Sequence, residues 1–494
     1  MTEHLPALQV IIPLLLAPVV FLFNHARLAW ILSVLVSWVG LLISLSLLFA
    51  VNDGEVIRYE FGGWEAPYGI AYKVDRLNAL VLLIVSAMAA VIFPFSWQAI
   101  QKEIPPSLHV IFYTALLLCL SGLLGMAITG DAFNLFVFIE ISSLSTYTLI
   151  SLGKDRRALT AAFQYLIMGT IGGTFILIGV GLLYILTGTL NMADLALRIG
   201  EYEAQESRTL QAAFAFLVVG IGLKLAMFPL HLWLPGAYAN APSVVSAFLA
   251  ATATKVAVYA LLRFLFTVFG ADYTYDGMHI DYLFIPLALI SILFASIVAI
   301  FQRGLKRMLA YSSVAQIGYM LLGIGLANES GLTAATLHLF NHALMKGALF
   351  LVVAMIFFRT GGTSMRYITG LGKEMPWTMA AFVVAGLSLI GVPLTVGFIS
   401  KWYLILASIE RGWWPITIVV LIGSLIAVVY IWRVVEAAYF KPRPENMPPV
   451  KEAPAGMLIL TWILVAANIY FGVNASFTAG IAGAVAAELL GGGV

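Results

Sequence analysis

Residues 222–230 read GLKLAMFPL and residues 386–394 read GLSLIGVPL. The shared pattern is GLxLxxxPL, repeated at a separation of 164 residues. Each copy lies in an apolar run of membrane-spanning length, and each sets a proline close to a lysine. Lys224 precedes Pro229, and Lys401 follows Pro393. A proline removes a backbone donor and clashes with the carbonyl four residues back. Inside a bilayer the exposed backbone is tolerated only where protein or a wet cavity satisfies it. Two such breaks, each beside a cation, predict a duplicated membrane architecture with a polar interior.

A fainter echo pairs Ser142-Ser143 with Ser312-Ser313 and Leu152-Gly153 with Leu322-Gly323, 170 residues apart. Working outward, apolar runs of about 20 residues mark the spans. They fall near 5–23, 28–50, 77–98, 107–128, 132–152, 159–187, 209–235, 242–269, 282–302, 305–327, 331–358, 376–405, 413–440 and 455–474. The fold class is an all-α polytopic membrane protein of fourteen helices. Helices 4–8 and 9–13 form two five-helix units. An odd number of helices per unit reverses the second copy, so the repeat is inverted, an arrangement common in secondary transporters. The chain divides as 1–106 (helices 1–3), 107–269 (repeat one), 282–440 (repeat two) and 455–494 (helix 14 and an apolar tail).

Composition agrees. The chain is 494 residues, 62% hydrophobic and 10% charged, against about 25% charged in soluble domains. No basic run with interleaved aromatics exists, which sets nucleic acid aside. One cysteine, Cys119, excludes internal disulfides and cysteine-ligated clusters, and it reads as a core side chain. The N-terminus lacks the cationic start of a cleaved signal peptide and reads as a retained first span. Loops on one side carry fourteen Lys and Arg and those on the other six. The positive-inside rule then places both termini outside the cytoplasm. Arg263 and Arg433 lie nearer helix ends and are expected to snorkel or pair locally, Arg433 with Glu436.

Glu140, Lys224, Lys255, Lys346 and Lys401 sit deep inside spans. A charge at the bilayer centre costs roughly 2.5–3.5 kcal/mol on insertion scales. Glu140 and Lys224 each solve the other's problem by pairing. Such a pair serves either structure or transport. Buried pairs are weak stabilisers, which favours transport. Lysine releases a proton where arginine does not, so four lysines suit a proton relay. His338, His342 and Lys346 are spaced four and four, on one helix face. Two histidines with no nearby carboxylate do not suggest a metal site. Lys255 bridges the first pair to this stripe if the repeats abut. His231 is either a relay member or an interface anchor. On the repeat alignment Glu140 faces Ala310 and Lys224 faces Ser388, so only the first unit carries a carboxylate.

At these residues the chain resembles the antiporter-like membrane subunits shared by respiratory complex I, membrane-bound hydrogenases and Mrp-type cation/proton antiporters. GLKLAMFPLHLWLPGAYANAPSVVSAFLAA and NHALMKGALF carry the resemblance, which covers nearly the whole chain. Within the family, the segment GGWEAPYGIAYKVDRLNALVLLIVS, the length and the end after fourteen helices are similar to the D subunits of Mrp-type multisubunit antiporters. The resemblance implies that helices 7 and 12 are broken, at Pro229 and Pro393. It implies a proton relay of Glu140, Lys224, Lys255, His338, His342, Lys346 and Lys401. It also implies a hetero-oligomeric assembly in a prokaryotic inner membrane, with other membrane subunits as partners and proton movement coupled to Na+ or K+. No cofactor is expected. The rival readings are the equivalent subunit of a redox-driven quinone oxidoreductase or hydrogenase, a non-transporting scaffold, and a stand-alone carrier. Only in the redox complex would the chain belong to an enzyme.

Overall fold

The computed structural model describes residues 2–201 and 207–491. In chain order the helices are α1 (Leu5–Phe23), α2 (Ala26–Val51), α3 (Arg76–Glu103), α4 (His109–Ile128), α5 (Ala132–Ser151), α6 (Arg157–Thr187), α7 (Met192–Glu201) and α8 (Arg208–Leu225). There follow α9 (Trp233–Asn240), α10 (Ser243–Ala251), α11 (Ala253–Leu262), α12 (Ile280–Ile300), α13 (Leu305–Gly325) and α14 (Glu329–Thr360). The last are α15 (Met365–Ile368), α16 (Leu371–Glu374), α17 (Pro376–Ile390), α18 (Val396–Glu410), α19 (Trp414–Val435), α20 (Ala455–Val473) and α21 (Ser476–Leu489). Among the described residues thirteen helical segments are long and apolar enough to cross a membrane, and the split pair α17–α18 supplies the fourteenth crossing.

Both expected breaks are present. α8 stops at Leu225, where Ala226 turns left-handed with φ +60°. α17 stops at Ile390, where Gly391 has φ +93°. Pro229 and Pro393 lie within the non-helical stretches that follow. Gly391 suits its position because a glycine has no Cβ to clash at positive φ. These are the fourth crossings of the two units. The third crossings, α6 and α14, are the longest helices, at 31 and 32 residues. α14 packs against α3, α10, α13, α17, α18, α20 and α21. It is buried along residues 331–356.

A third break departs from the expected pattern. The eighth crossing is not one helix over 242–269. It is α10 and α11, parted at Thr252 (φ −125°, ψ −57°), and it ends in a π-helical turn at Arg263–Val268. No proline or glycine marks this site, so the usual punctuation is missing.

The 52–75 loop also differs from a purely helical fold. It holds an antiparallel hairpin, β1 (Ile57–Glu60) on β2 (Ala71–Val74), in register Ile57↔Val74. The alternation Ile57-Arg58-Tyr59-Glu60 is the reason, since side chains on a strand alternate faces. His4 meets Tyr59 of this hairpin at 3.1 Å, and Glu488 of α21 pairs with Arg76. Both chain ends therefore lie on one face, called here the terminal face. The apolar tail, left without a role by the sequence, is α21, packed on α14 and α3.

Candidate functional site

Glu140 on α5 meets Lys224 on α8 at 3.2 Å, and Lys224 also donates to Ser143 Oγ at 2.8 Å. Ser143 is one turn from Glu140 on α5, so one helix face supplies both partners. Lys224 is the last-but-one residue of its half-helix, at the end where carbonyl groups leave negative partial charge. Glu140 is less enclosed than its apolar neighbours suggest: its side chain is 26% exposed, against 7% for Lys224. α5 lies partly on the perimeter, and Gly173 of α6 makes room for the carboxylate, since a Cβ there would run into Glu140 Oε1.

Lys255 is fully buried and donates to Ala250 O, with Thr254 Oγ1 at 3.4 Å. Ala250 is the penultimate residue of α10. The unexpected break frees its carbonyl, and the lysine fills the place of the missing helical donor. α11 packs on α8 and α10 packs on α14, so Lys255 stands at the seam between the repeats.

On α14, His338 bonds Ser400 Oγ at 2.7 Å and Gln316 Oε1 at 2.9 Å. His342 stacks on His338 with ring centres 5.7 Å apart. The His342 ring nitrogens have no side-chain or backbone partner among the described residues. Lys346 donates to Leu309 O at 2.8 Å and to Ser312 Oγ. Lys401, next to Ser400, donates to Ile390 O at 2.8 Å, Leu389 O at 3.2 Å and Ser424 Oγ at 2.9 Å. It lies 4.9 Å above the Tyr319 ring. Tyr319 in turn lies 6.1 Å from His338. The two last carbonyls of α17 thus hold Lys401 as Ala250 O holds Lys255.

The structure therefore gathers His338, His342, Lys346 and Lys401 into one buried cluster, with Glu140–Lys224 as a second and Lys255 between them. No direct hydrogen bond among the described residues joins Lys224 to Lys255, or Lys255 to His342. The partners Gln316, Tyr319, Ser400 and Ser424 do not stand out in the sequence, because neutral polar residues are common in apolar helices, and Ser312 stands out only as part of the repeat. His231 stacks on Phe228 and faces Phe294 and Tyr311, apart from both clusters. That packing favours the anchor.

Two arginines behave differently from expectation. Arg263 does not snorkel; it bonds Tyr259 and Thr267 locally, but its counter-ion comes from another helix. It is buried and pairs with Asp75 and Asn78 at the start of α3, while its Nε reaches Tyr259 at 3.2 Å. Burial alone would raise the Asp75 carboxyl, but Arg263 and then Lys73 outweigh it and hold the carboxyl below its ordinary value. Burial, then Arg263, pushes Lys73 down. Glu436 pairs with Lys441 at 3.1 Å rather than with Arg433. Glu436 opens the π-helical turn Glu436–Phe440, and that turn brings its C-cap, Lys441, within reach of the carboxylate.

The family described as NADH:quinone oxidoreductase/Mrp antiporter, transmembrane, matches residues 129–427, which contain every site residue from Glu140 to Lys401. The N subunit of the NADH-quinone oxidoreductase of Desulforudis audaxviator is 42% identical over 481 residues, covering 94% of each protein. The D subunit of the Na(+)/H(+) antiporter of Bacillus subtilis is 29% identical over 468 residues, covering 94% of this chain and 93% of that one. A chain of the Mrp complex from Dietzia sp. DQ12-45-1b superposes with a TM-score of 0.91 at 25% identity, over 99% of this chain and 98% of its own. With its fourteen crossings, broken fourth helices and buried Glu/Lys/His set, this chain belongs to the antiporter-like membrane subunits of the NADH:quinone oxidoreductase and Mrp antiporter family.

Proposed function

We propose that the chain is a proton-translocating subunit of a multisubunit Na+(K+)/H+ antiporter. The carrying observation is the Glu140–Lys224 pair at 3.2 Å, held with Ser143 beside a helix break. An ion pair in this position stabilises little for what it costs. A pair of titratable groups that attract only while both are charged couples proton arrival to lysine release. Protons would pass through Glu140, Lys224, Lys255, the His338–His342–Lys346 stripe and Lys401. The broken helices, repeat one over 107–269 and repeat two over 282–440, supply the polar backbone that this route needs. Other membrane subunits are the partners, as the Dietzia chain's place in an Mrp complex suggests. The basic-loop bias puts the terminal face outside a prokaryotic inner membrane.

The test is Glu140→Gln in everted vesicles carrying the whole assembly, read with a pH dye on addition of Na+ or K+. Gln keeps the volume but cannot ionise. The expected result is loss of cation-dependent proton movement with assembly intact. Near-normal activity in assembled complex would reject the assignment.

A second reading has its own support in the 42% identical quinone oxidoreductase relative. There the same relay would be driven by electron transfer. Vesicles that move protons on adding a reductant, and not on adding Na+ or K+, would select it.

A further inference from the structure

On the face opposite the termini, a cavity of about 680 Å³ opens between α6, α9 and the α12–α13 connection. Arg157, Arg303 and Arg307 line it, and Lys306 is buried at its floor with Nζ 2.9 Å from Ala241 O. None of the lining residues is acidic. Glu103, which neighbours Lys306, does not line the cavity and is engaged by the Ser243 amide at 2.8 Å. Among the described residues none of the three arginines pairs with a carboxylate. Gln164, Asn240 and Gln302 add amide groups to the lining.

The first turns of two long helices complete the walls: Arg157 and Thr160 of α6, and Lys306 and Arg307 of α13. Neither N-cap, Arg156 nor Gly304, contributes a side-chain hydrogen bond. The Asp155 carboxylate accepts from the Arg157 amide at 3.0 Å and Thr363 O from the Leu305 amide, so the positive charge of the cavity is that of its arginine and lysine side chains. The site is preformed, because the connection carrying Arg303 is fixed by Met365 N to Arg303 O at 3.0 Å and Leu305 N to Thr363 O at 2.9 Å.

What lies beside the cavity is apolar. Phe301, a lining residue, is 74% exposed, and Leu232, the N-cap of α9 three residues before the lining residue Pro235, is 73% exposed. Leu159 and Phe163 of α6 are also exposed, next in sequence to the lining residues Thr160 and Gln164. A fixed nest of cations at a helix-end level, flanked by apolar side chains on the membrane-spanning surface, matches an amphiphile rather than a free ion. Basic pockets at the ends of membrane helices favour lipid phosphates. We propose that this cavity binds the phosphate headgroup of an anionic phospholipid, with the acyl chains lying against Phe301, Leu232 and α6. Three arginines recognise a phosphate diester through paired N–H donors, and a zwitterionic headgroup brings its own cation and gains less.

The test uses the whole assembly in nanodiscs of phosphatidylcholine with and without phosphatidylglycerol, with retained lipid measured by native mass spectrometry. Arg157→Gln, Arg303→Gln and Arg307→Gln are each expected to weaken phosphatidylglycerol retention roughly fivefold, the share of one basic residue at a membrane surface. Lys373→Gln, an exposed cation elsewhere in the basic loops, is the control and should leave retention unchanged. Phe301→Ala should also weaken it, because the acyl chain loses its contact. Equal retention in the arginine variants, with the assembly intact, would overturn the proposal. So would displacement of the lipid by inorganic phosphate with Phe301→Ala silent, which would mark a free-anion site. Cross-linking of Arg303→Cys to an acidic segment of a neighbouring protein of the assembly, in place of lipid retention, would overturn it as well.

Discussion

Lys224 carries the sharpest distinction between an ion pair kept for structure and one kept for transport. Arginine would preserve the charge and the bond to Glu140, but it holds its proton at any physiological pH. Lys224→Arg should therefore lose nearly as much transport as Lys224→Ala. The expected loss is on the order of a hundredfold, the low end of what a positioned proton-transfer group contributes. If Arg restores most of what Ala loses, the relay fails at this position. The charged residues were legible because charge is rare in an apolar chain, and their pairing followed from the need to neutralise it. The hydrogen-bond partners were not. Ser312, Gln316 and Ser400 carry no charge to announce them, and only the fold shows that they face His338 and Lys346. Arg263 misled for a related reason. Its counter-ion, Asp75, lies 188 residues away in sequence.

At the scale of the element, each break has a consequence of its own. Lys401 occupies the carbonyl end of α17, with two hydrogen bonds there and a third to Ser424 of α19. His342 makes none to the described residues, and stacked His338 can take its place. Lys401→Ala should interrupt transport where His342→Ala slows it, measured at matched expression across a pH series. A wild-type rate for Lys401→Ala beside a dead His342→Ala would reverse the order. The breaks at Pro229 and Pro393 were legible from proline. The break at Thr252 was not, because its cause is tertiary: the buried ammonium of Lys255 takes up the carbonyl that a regular helix would bond internally. At the terminal face, Asp75 caps α3 and neutralises Arg263. Asp75→Asn leaves a buried cation unpaired and should cost about 3–5 kcal/mol. The Asp75 carboxyl titrates below its ordinary value in the fold. Its contribution is thus complete above the unfolded value of about 3.9 and is lost as pH falls through the lower folded value. Melting curves in detergent should show a constant gap between wild type and Asp75→Asn from neutral pH to about 4, closing only below that. A gap that closes between pH 5 and 7 would contradict the pairing.

Across the whole molecule the two units share a frame and differ in chemistry. α6 and α14 match in length and rank, yet α6 is lined with glycines where α14 carries His338, His342 and Lys346. The frame was legible because hydropathy and proline repeat. The joining of the units through α10 and α14 was not, since no pattern within a span names its neighbour. Orientation has a direct check. Cys119 is the chain's only cysteine and is buried, so the background for labelling is low. An impermeant maleimide should label Asp53→Cys in intact cells and Lys373→Cys only after permeabilisation. The reverse would place the termini in the cytoplasm. One further consequence comes from the carbonyl oxygens that hold Lys255 and Lys401. A carbonyl has no proton to gain or lose near neutral pH, so its pull on those lysines is the same at every step of a cycle. Glu140 is different, because a single proton switches its attraction for Lys224 off. On the proposed relay, the Glu140–Lys224 pair at the partly open edge is then the contact that a proton can switch, and the carbonyl contacts of Lys255 and Lys401 are fixed ones.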